Sequence, residues 1–260
     1  LGFIFSSEKT SAKLLKILIK FLLSFSLSDK KNKLILQNRD DEKIILNSKL
    51  VKKEQVFIIK GSGVELEKFY PSKFPQNVPI ILLPCRLLWD KGVREFLICA
   101  KKIKDKGINV RFVIVGQIDT ENPESISRKE IENWENENLI EYWGKKNNMQ
   151  SIYSKSNIIC FPSYREGMPK ALLEAASCAR PIIAFDVPGS REVVRNNFNG
   201  LLVPFKNVRL LEKSILSLLN NRKTCISFGK NGRKLVAKEF SDTKIYEETI
   251  KVWNEILKKK

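Results

Sequence analysis

Glu166 and Glu174 stand with seven residues between them in the string Tyr164–Pro181, YREGMPKALLEAASCARP. Glu166 adjoins Gly167, where a missing Cβ lets backbone approach a ligand closely. Pro169 favours the first position of a helix, so a helix is expected to begin there, with Glu174 one to two turns inside it. From the loop, Glu166 could face a crevice. From the helix, Glu174 could accept hydrogen bonds from a diol such as ribose. Glu174 could also be a solvated helix residue, but Leu172, Leu173, Ala175 and Ala176 beside it are apolar, and an exposed face should be more polar. Upstream, Arg86 and Asp90-Lys91-Gly92 put two cations at the start of another helix. Free amides and the helix dipole favour negative charge there, which suits a diphosphate. The same two residues could equally be surface charges on a loop.

Other chemistry is excluded for these residues. The sequence has no histidine, so it supplies neither a Ser-His-Asp nor a Cys-His device, nor a His-ligated metal. Cysteines at 85, 99, 160, 178 and 225 are odd in number and form no C-x-x-C pair. They read as buried thiols of a reducing compartment rather than a disulfide framework or zinc site. Lys plus Arg exceeds Asp plus Glu by 18 in 260 residues. Such a surface attracts anions, whether nucleotide phosphate, nucleic acid or anionic lipid. Lysine runs such as Lys30-Lys31 and Lys258-Lys259-Lys260 share in the excess, so charge alone assigns no partner.

The elements that would position these residues alternate from residue 78 onward, which argues for an α/β unit with a parallel sheet. Strands are expected at Ile80–Leu83, Val110–Val115, Ile140–Trp143, Ile158–Phe161, Ile182–Phe185 and Leu201–Val203. Helices are expected at about Gly92–Lys106, around Trp134, at Asn148–Ser154, from Pro169, and at Arg191–Val194, with three closing helices near 207–220, 224–239 and 242–257. Arg86, Gly116, Gly144 and Glu166 each follow a strand. Ligands of doubly wound sheets bind beyond the carboxyl ends of the strands, so these four residues should share one edge.

Before residue 60 the pattern differs. Leu34–Leu36 and Val56–Ile59 read as strands around a helix near 40–50, and Leu1–Phe5 as a further strand. The stretch Leu14–Leu27, broken by Lys16 and Lys20, is too short and charged for a membrane span. It reads as an amphipathic basic helix, either in a core or on an anionic membrane face. Gly61-Ser62-Gly63 and the segment to Pro75 punctuate the chain like a domain boundary, placed at about 60–76.

Taken together, these strings resemble glycosyltransferase family 4. Tyr164–Pro181 is similar to its E-x₇-E region, PCRLLWDKG to its phosphate loop, and GSGVELEKFYP to its hinge; FVIVG, YWG, FDVPGSREVV and NGLLVP fall in family order. Segments such as NPESI and PSYREGMPK resemble bacterial enzymes that extend lipid-linked glycans. There are departures: Cys85 stands where Gly is usual, Glu65 replaces the hinge Asp, and Ala179 replaces the Gly before Arg180-Pro181.

The resemblance implies a GT-B architecture of two Rossmann-like domains. Residues 1–60 would be the tail of an acceptor-binding domain, in a polypeptide that starts partway. Residues 61–240 would form the donor domain, and 241–260 a helix crossing back. It implies a retaining transfer of an N-acetylhexosamine or hexose from a UDP-sugar to a glycolipid or polysaccharide acceptor in cell-envelope synthesis. The setting would be cytoplasmic, at the inner face of the membrane, with no metal, no other cofactor and no nucleic acid. Arg86 and Lys91 would neutralise the departing diphosphate, Glu166 would contact the donor sugar and Glu174 the ribose. Gly63, Gly167, Met168 and Pro169 would help position the donor, and Tyr142, Gly144 and Lys145 would line the base pocket. Three other readings stand beside this one. The lack of histidine counts against a sugar-nucleotide epimerase of the same fold, and the lack of an aromatic-interleaved RNA motif counts against a nucleic-acid binder. The third is a fragment that binds donor without turnover.

Overall fold

The computed structural model describes residues 10–29 and 32–258, and the strand expected at Leu1–Phe5 lies outside them. The chain forms two compact units. One comprises Val64–Ser241; the other comprises the described residues up to Gly63 and from Asp242 onward.

The unit Val64–Ser241 is built on a six-stranded parallel sheet. Its strands, numbered after β1 (Leu34–Leu36) and β2 (Val56–Ile58) of the other unit, are β3 (Ile80–Pro84), β4 (Arg111–Val115), β5 (Glu141–Tyr142), β6 (Ile158–Phe161), β7 (Ile182–Phe185) and β8 (Gly200–Val203). Every residue of β3, β6 and β7 is buried. Helices on both faces of a parallel sheet require such unbroken apolar runs. The order is β5-β4-β3-β6-β7-β8. Leu82 of β3 pairs with Val113 on one side and Ile159 on the other, so the winding reverses between β3 and β6. That is the strand order of doubly wound nucleotide-binding sheets, whose ligands sit where the order reverses.

The helices of this unit are α3 (Val93–Lys104), α4 (Arg128–Asn136), α5 (Met149–Lys155), α6 (Lys170–Ser177), α7 (Ser190–Val193), α8 (Val208–Leu219) and α9 (Arg222–Glu239). Each expected element forms, with ends that match or differ by one or two residues for most. Two starts differ chemically. A one-turn 3₁₀ helix, Trp89–Lys91, precedes α3, so Lys91 lies before that helix rather than in it. Pro169 is the N-cap of α6 with φ −74° and ψ 104°, not its first helical residue.

The Ala179 departure leaves its turn intact. Arg180 N–H donates to Ala175 O and Ala179 N–H to Ala176 O, closing the helix with Ala179 at φ +56°. This motif normally uses glycine at that left-handed position. Arg180 is buried, and burial lowers its pKa to about 10, so it stays charged at neutral pH. Its hydrogen bonds run to the carbonyls of Tyr153 and Ser154 and to Ser72. Arg233 likewise holds Leu66 O, Phe69 O and Ser177 Oγ. Two cations thereby tie the segment 66–73 to α5, α6 and α9.

The other unit holds α1 (Thr10–Ser26), β1 (Leu34–Leu36), α2 (Arg39–Asn47), β2 (Val56–Ile58) and α10 (Asp242–Lys258). β1 and β2 pair in parallel, and Asn38 caps α2 by accepting from Asp41 N–H. Leu27, Leu36, Ile45 and Val51 form one small core, and Ile59 packs with Ile245 and Val252 in another. Along α1, Leu15, Ile17, Leu18, Phe21, Leu22 and Phe25 are exposed, and among the described residues Leu23 and Leu27 join the small core. Among the described residues no helix is long and apolar enough to cross a membrane.

Candidate functional site

The carboxyl edge of the sheet collects most of the expected site. Arg86 and Lys91 follow β3, Gly116 follows β4, Tyr142, Gly144 and Lys145 end or follow β5, and Glu166–Pro169 follow β6. Glu174 lies in the second turn of α6. Gly63, in contrast, lies in the other unit, with φ +70°.

At the reversal point Lys91 and Glu166 meet. Lys91 Nζ lies 2.8 Å from Glu166 Oε1, and the two side chains are only 12% and 17% exposed. Ser163 Oγ donates to the same oxygen at 2.6 Å. The backbone around them is fixed by close approaches. Gly92 (φ +75°) lies so near Pro162 that a Cβ would sit 2.0 Å from its carbonyl oxygen. Gly189 (φ +81°) lies close to Glu166, its added Cβ falling 2.6 Å from that residue's carbonyl oxygen. Tyr164 Oη donates to Glu95 Oε1 at 2.7 Å, and Tyr164 N–H to Asp90 O at 2.9 Å. One oxygen of Asp90 and one of Glu95 are buried without a hydrogen-bond partner among the described residues. Cys85 lies beside this group. Burial pushes its thiol up to about 12 against the pull of Lys91, so it is a packed neutral side chain and no nucleophile.

Arg86 follows β3 at the same edge but is placed differently from Lys91. It is exposed, and its guanidinium meets Asp119 at 3.2 Å. Tyr142 Oη donates to Gly116 O at 2.8 Å, and Gly116 N–H to Gly144 O at 3.1 Å, tying the ends of β4 and β5 together. Arg128 stacks over the Tyr142 ring at 6.0 Å. Lys145 is exposed, whereas Gly167 and Met168 are half-buried and Pro169 is buried.

Glu174 is not a solvated helix residue. Tyr153 Oη, fully buried, lies 3.1 Å from Glu174 Oε2. Burial raises the Glu174 pKa, while the Tyr153 hydrogen bond and then Lys170 and Lys68 hold it down.

The helix starts divide into two kinds. α4, α5 and α8 open on Ser127, Asn148 and Asn207, whose side chains accept from their own first-turn amides. α3, α6 and α7 open on Gly92, Pro169 and Gly189, with no side-chain cap. The uncapped helices follow β3, β6 and β7, three adjacent strands. A helix start without a side-chain acceptor offers its amides and dipole to an anion from outside. No group of three or more Cys, Asp or Glu side chains among the described residues could hold a metal ion.

Sequence reasoning missed the partners Ser163, Tyr153, Glu95 and Asp119. Tyr153, Glu95 and Asp119 lie far along the chain from Glu174, Tyr164 and Arg86, whereas Ser163 is three residues before Glu166. Ser163 alone was close enough in sequence to be found.

The strand order and the grouping at the carboxyl edge are those of a Rossmann-like unit, and the fold is that of the GT-B glycosyltransferases. Residues 64–235 match the family described as Glycosyl transferases group 1, and the chain belongs to that family. It is 30% identical over 273 aligned positions to N,N'-diacetylbacillosaminyl-diphospho-undecaprenol alpha-1,3-N-acetylgalactosaminyltransferase of Campylobacter jejuni, covering 99% of this chain and 69% of that protein. It is 27% identical to UDP-Gal:alpha-D-GlcNAc-diphosphoundecaprenol alpha-1,3-galactosyltransferase of Escherichia coli, covering 89% of this chain and 64% of the relative. The chain thus spans about two thirds of the length of these relatives. Among solved structures, sucrose-phosphate synthase from Thermosynechococcus elongatus superposes with a TM-score of 0.83 at 24% identity, over 100% of this chain and 67% of that one. At that identity the likeness concerns the fold.

Proposed function

We propose that Val64–Ser241 binds a UDP-sugar at the carboxyl edge of its sheet and is the donor half of a retaining glycosyltransferase. The observation that carries this reading is the set of uncapped helix starts after β3, β6 and β7, with Lys91 beside the first and Glu166 beside the second. The diphosphate meets the α3 amides and Lys91, with Arg86 drawn in from Asp119. The ribose meets Glu174, the donor sugar meets Glu166, and the base lies against Tyr142, Gly144 and Lys145. Gly167, Met168 and Pro169 offer backbone to sugar and phosphate.

In the reaction the bond from the anomeric carbon to the diphosphate oxygen breaks. The acceptor hydroxyl oxygen bonds to the same face of that carbon, and its proton passes to the departing phosphate. Charge grows on the diphosphate, and the α3 amides with the cations that reach it, Lys91 and Arg86, stabilise that charge. The names of the Campylobacter jejuni and Escherichia coli relatives support an N-acetylhexosamine or hexose as the sugar and a lipid-linked glycan as the acceptor. The acceptor side is assigned to the unit holding α1 and α10, completed by sequence that this chain does not match in those relatives. The exposed apolar side of α1 and the net charge of +18 support peripheral contact with an anionic membrane.

Calorimetry with UDP and uridine tests the donor assignment. UDP should bind the chain with an affinity that falls as salt rises. Lys91→Ala should weaken UDP by about tenfold or more, while uridine, which has no phosphates, should bind unchanged. Equal losses for the two ligands would reject the assignment.

A further inference from the structure

The described structure shows Lys91 already engaged. Its amino group rests on Glu166, in a pair largely shielded from water. A diphosphate arriving at α3 cannot use that charge in full while the carboxylate holds it, because each negative group claims the same cation. The backbone on both sides is locked by the Gly92–Pro162 and Gly189–Glu166 contacts and by the Tyr164–Glu95 hydrogen bond. Exchange is therefore left to the side chains. Glu166 has a suitable second use. Both of the side-chain hydrogen bonds shown for it fall on Oε1, which leaves Oε2 as the oxygen that can turn to a ligand.

We propose that the Lys91–Glu166 pair determines specificity for the intact donor over its nucleoside diphosphate product, by partner exchange. This rests on the donor reading above. When a UDP-sugar binds, Lys91 turns to the diphosphate and Glu166 accepts a hydrogen bond from a sugar hydroxyl, so both charges gain a new partner. When UDP alone is bound, Lys91 is engaged but Glu166 faces the phosphates with no hydroxyl to accept from. The free enzyme regains the pair by releasing UDP. The pair thus opposes product retention at no cost to substrate binding. Glu166 acts here through charge and hydrogen bonding, and no bond to it is made or broken.

Calorimetry on the 260-residue chain, with UDP and with UDP-N-acetylgalactosamine as the probes, tests the exchange. Glu166→Gln keeps the shape and Ser163 as donor but removes the charge. It should tighten UDP by about five- to tenfold and leave UDP-N-acetylgalactosamine unchanged or weaker, so the preference for the intact donor collapses. In a Lys91→Ala background the same substitution should tighten UDP several times less, because only general repulsion remains to be relieved. Glu166→Ala, checked like the others by its melting curve, should also tighten UDP and should weaken the sugar nucleotide further. An unchanged or weaker UDP affinity in both Glu166 variants overturns the exchange and leaves the donor reading standing. Equal tightening of both ligands, or an equal gain in the Lys91→Ala background, also overturns it. Failure of the unsubstituted chain to bind UDP overturns the donor reading itself.

Discussion

Tyr153→Phe removes one hydroxyl and little else. The Tyr153 ring is fully buried and packs edge-on against Phe69 at 6.3 Å, and phenylalanine keeps that packing. The hydroxyl lies 3.1 Å from Glu174 Oε2 and 3.2 Å from Ala171 O. A hydrogen bond to a charged group contributes about 1.5–3 kcal/mol. Glu174 is partly solvated, so water recovers a share of that and about 1–2 kcal/mol remains, roughly a 5- to 30-fold change in an equilibrium. If Glu174 holds the ribose through an orientation that Tyr153 sets, UDP affinity should fall by that factor. The loss should deepen at lower pH. Burial raises the Glu174 pKa and the tyrosine holds it down, so without the hydroxyl the carboxylate protonates earlier on acidification. UDP calorimetry at neutral and mildly acidic pH, with a melting curve for each protein, reads both effects. Unchanged UDP affinity at an unchanged melting temperature would refute the reasoning, because the hydrogen bond would then position nothing that the nucleotide touches.

Two stability predictions follow from the same helix. Ala179→Gly should stabilise the chain by about 0.5–1 kcal/mol in urea melts, since relief of a left-handed alanine outweighs the entropy glycine brings to the unfolded state; a loss of stability would contradict the strain at φ +56°. Glu174 has a folded pKa above its unfolded value because burial dominates. Its contribution is complete below the unfolded pKa and is lost as pH rises through the folded one. The stability of the unsubstituted chain relative to Glu174→Gln should therefore rise as pH falls into the carboxylate range, and an opposite slope would mean that hydrogen bonding outweighs burial.

The sheet was legible because its strands are buried on both faces, so Ile158–Phe161 and Ile182–Phe185 stand out as apolar runs with matching ends. Helix starts were less so. Asn148 and Pro169 both precede helices, yet only Asn148 caps its own amides, a difference in side-chain chemistry that periodicity does not carry. The carboxyl edge followed from counting strands, and Lys91 and Glu166 met there as the winding requires. Their direct contact was not legible, because 75 residues separate them and neither string names its partner. Arg86 shows the converse: its place was right, but Asp119, from the loop after β4, supplies a counter-charge that no local pattern announces. What covers α1 was not legible either. Amphipathicity shows that one side of a helix is apolar without showing what covers it.

The unit Val64–Ser241 begins and finishes at one point. Val64 N–H donates to Phe240 O at 2.9 Å, and Val64 and Ser241 form a parallel bridge. Residues 64–241 are thus a closed insertion in the other unit's chain, with their two ends about one strand spacing apart, ~4.8 Å. Such a segment can be transplanted between hosts, or reopened at a surface loop with its old ends joined by a few residues, without disturbing the winding. Synthesis on the ribosome imposes an order as well. The core that joins Ile59 to Ile245 and Val252 cannot close until the whole insertion has been translated, so the inner unit has time to fold while the outer one is still waiting for its last helix.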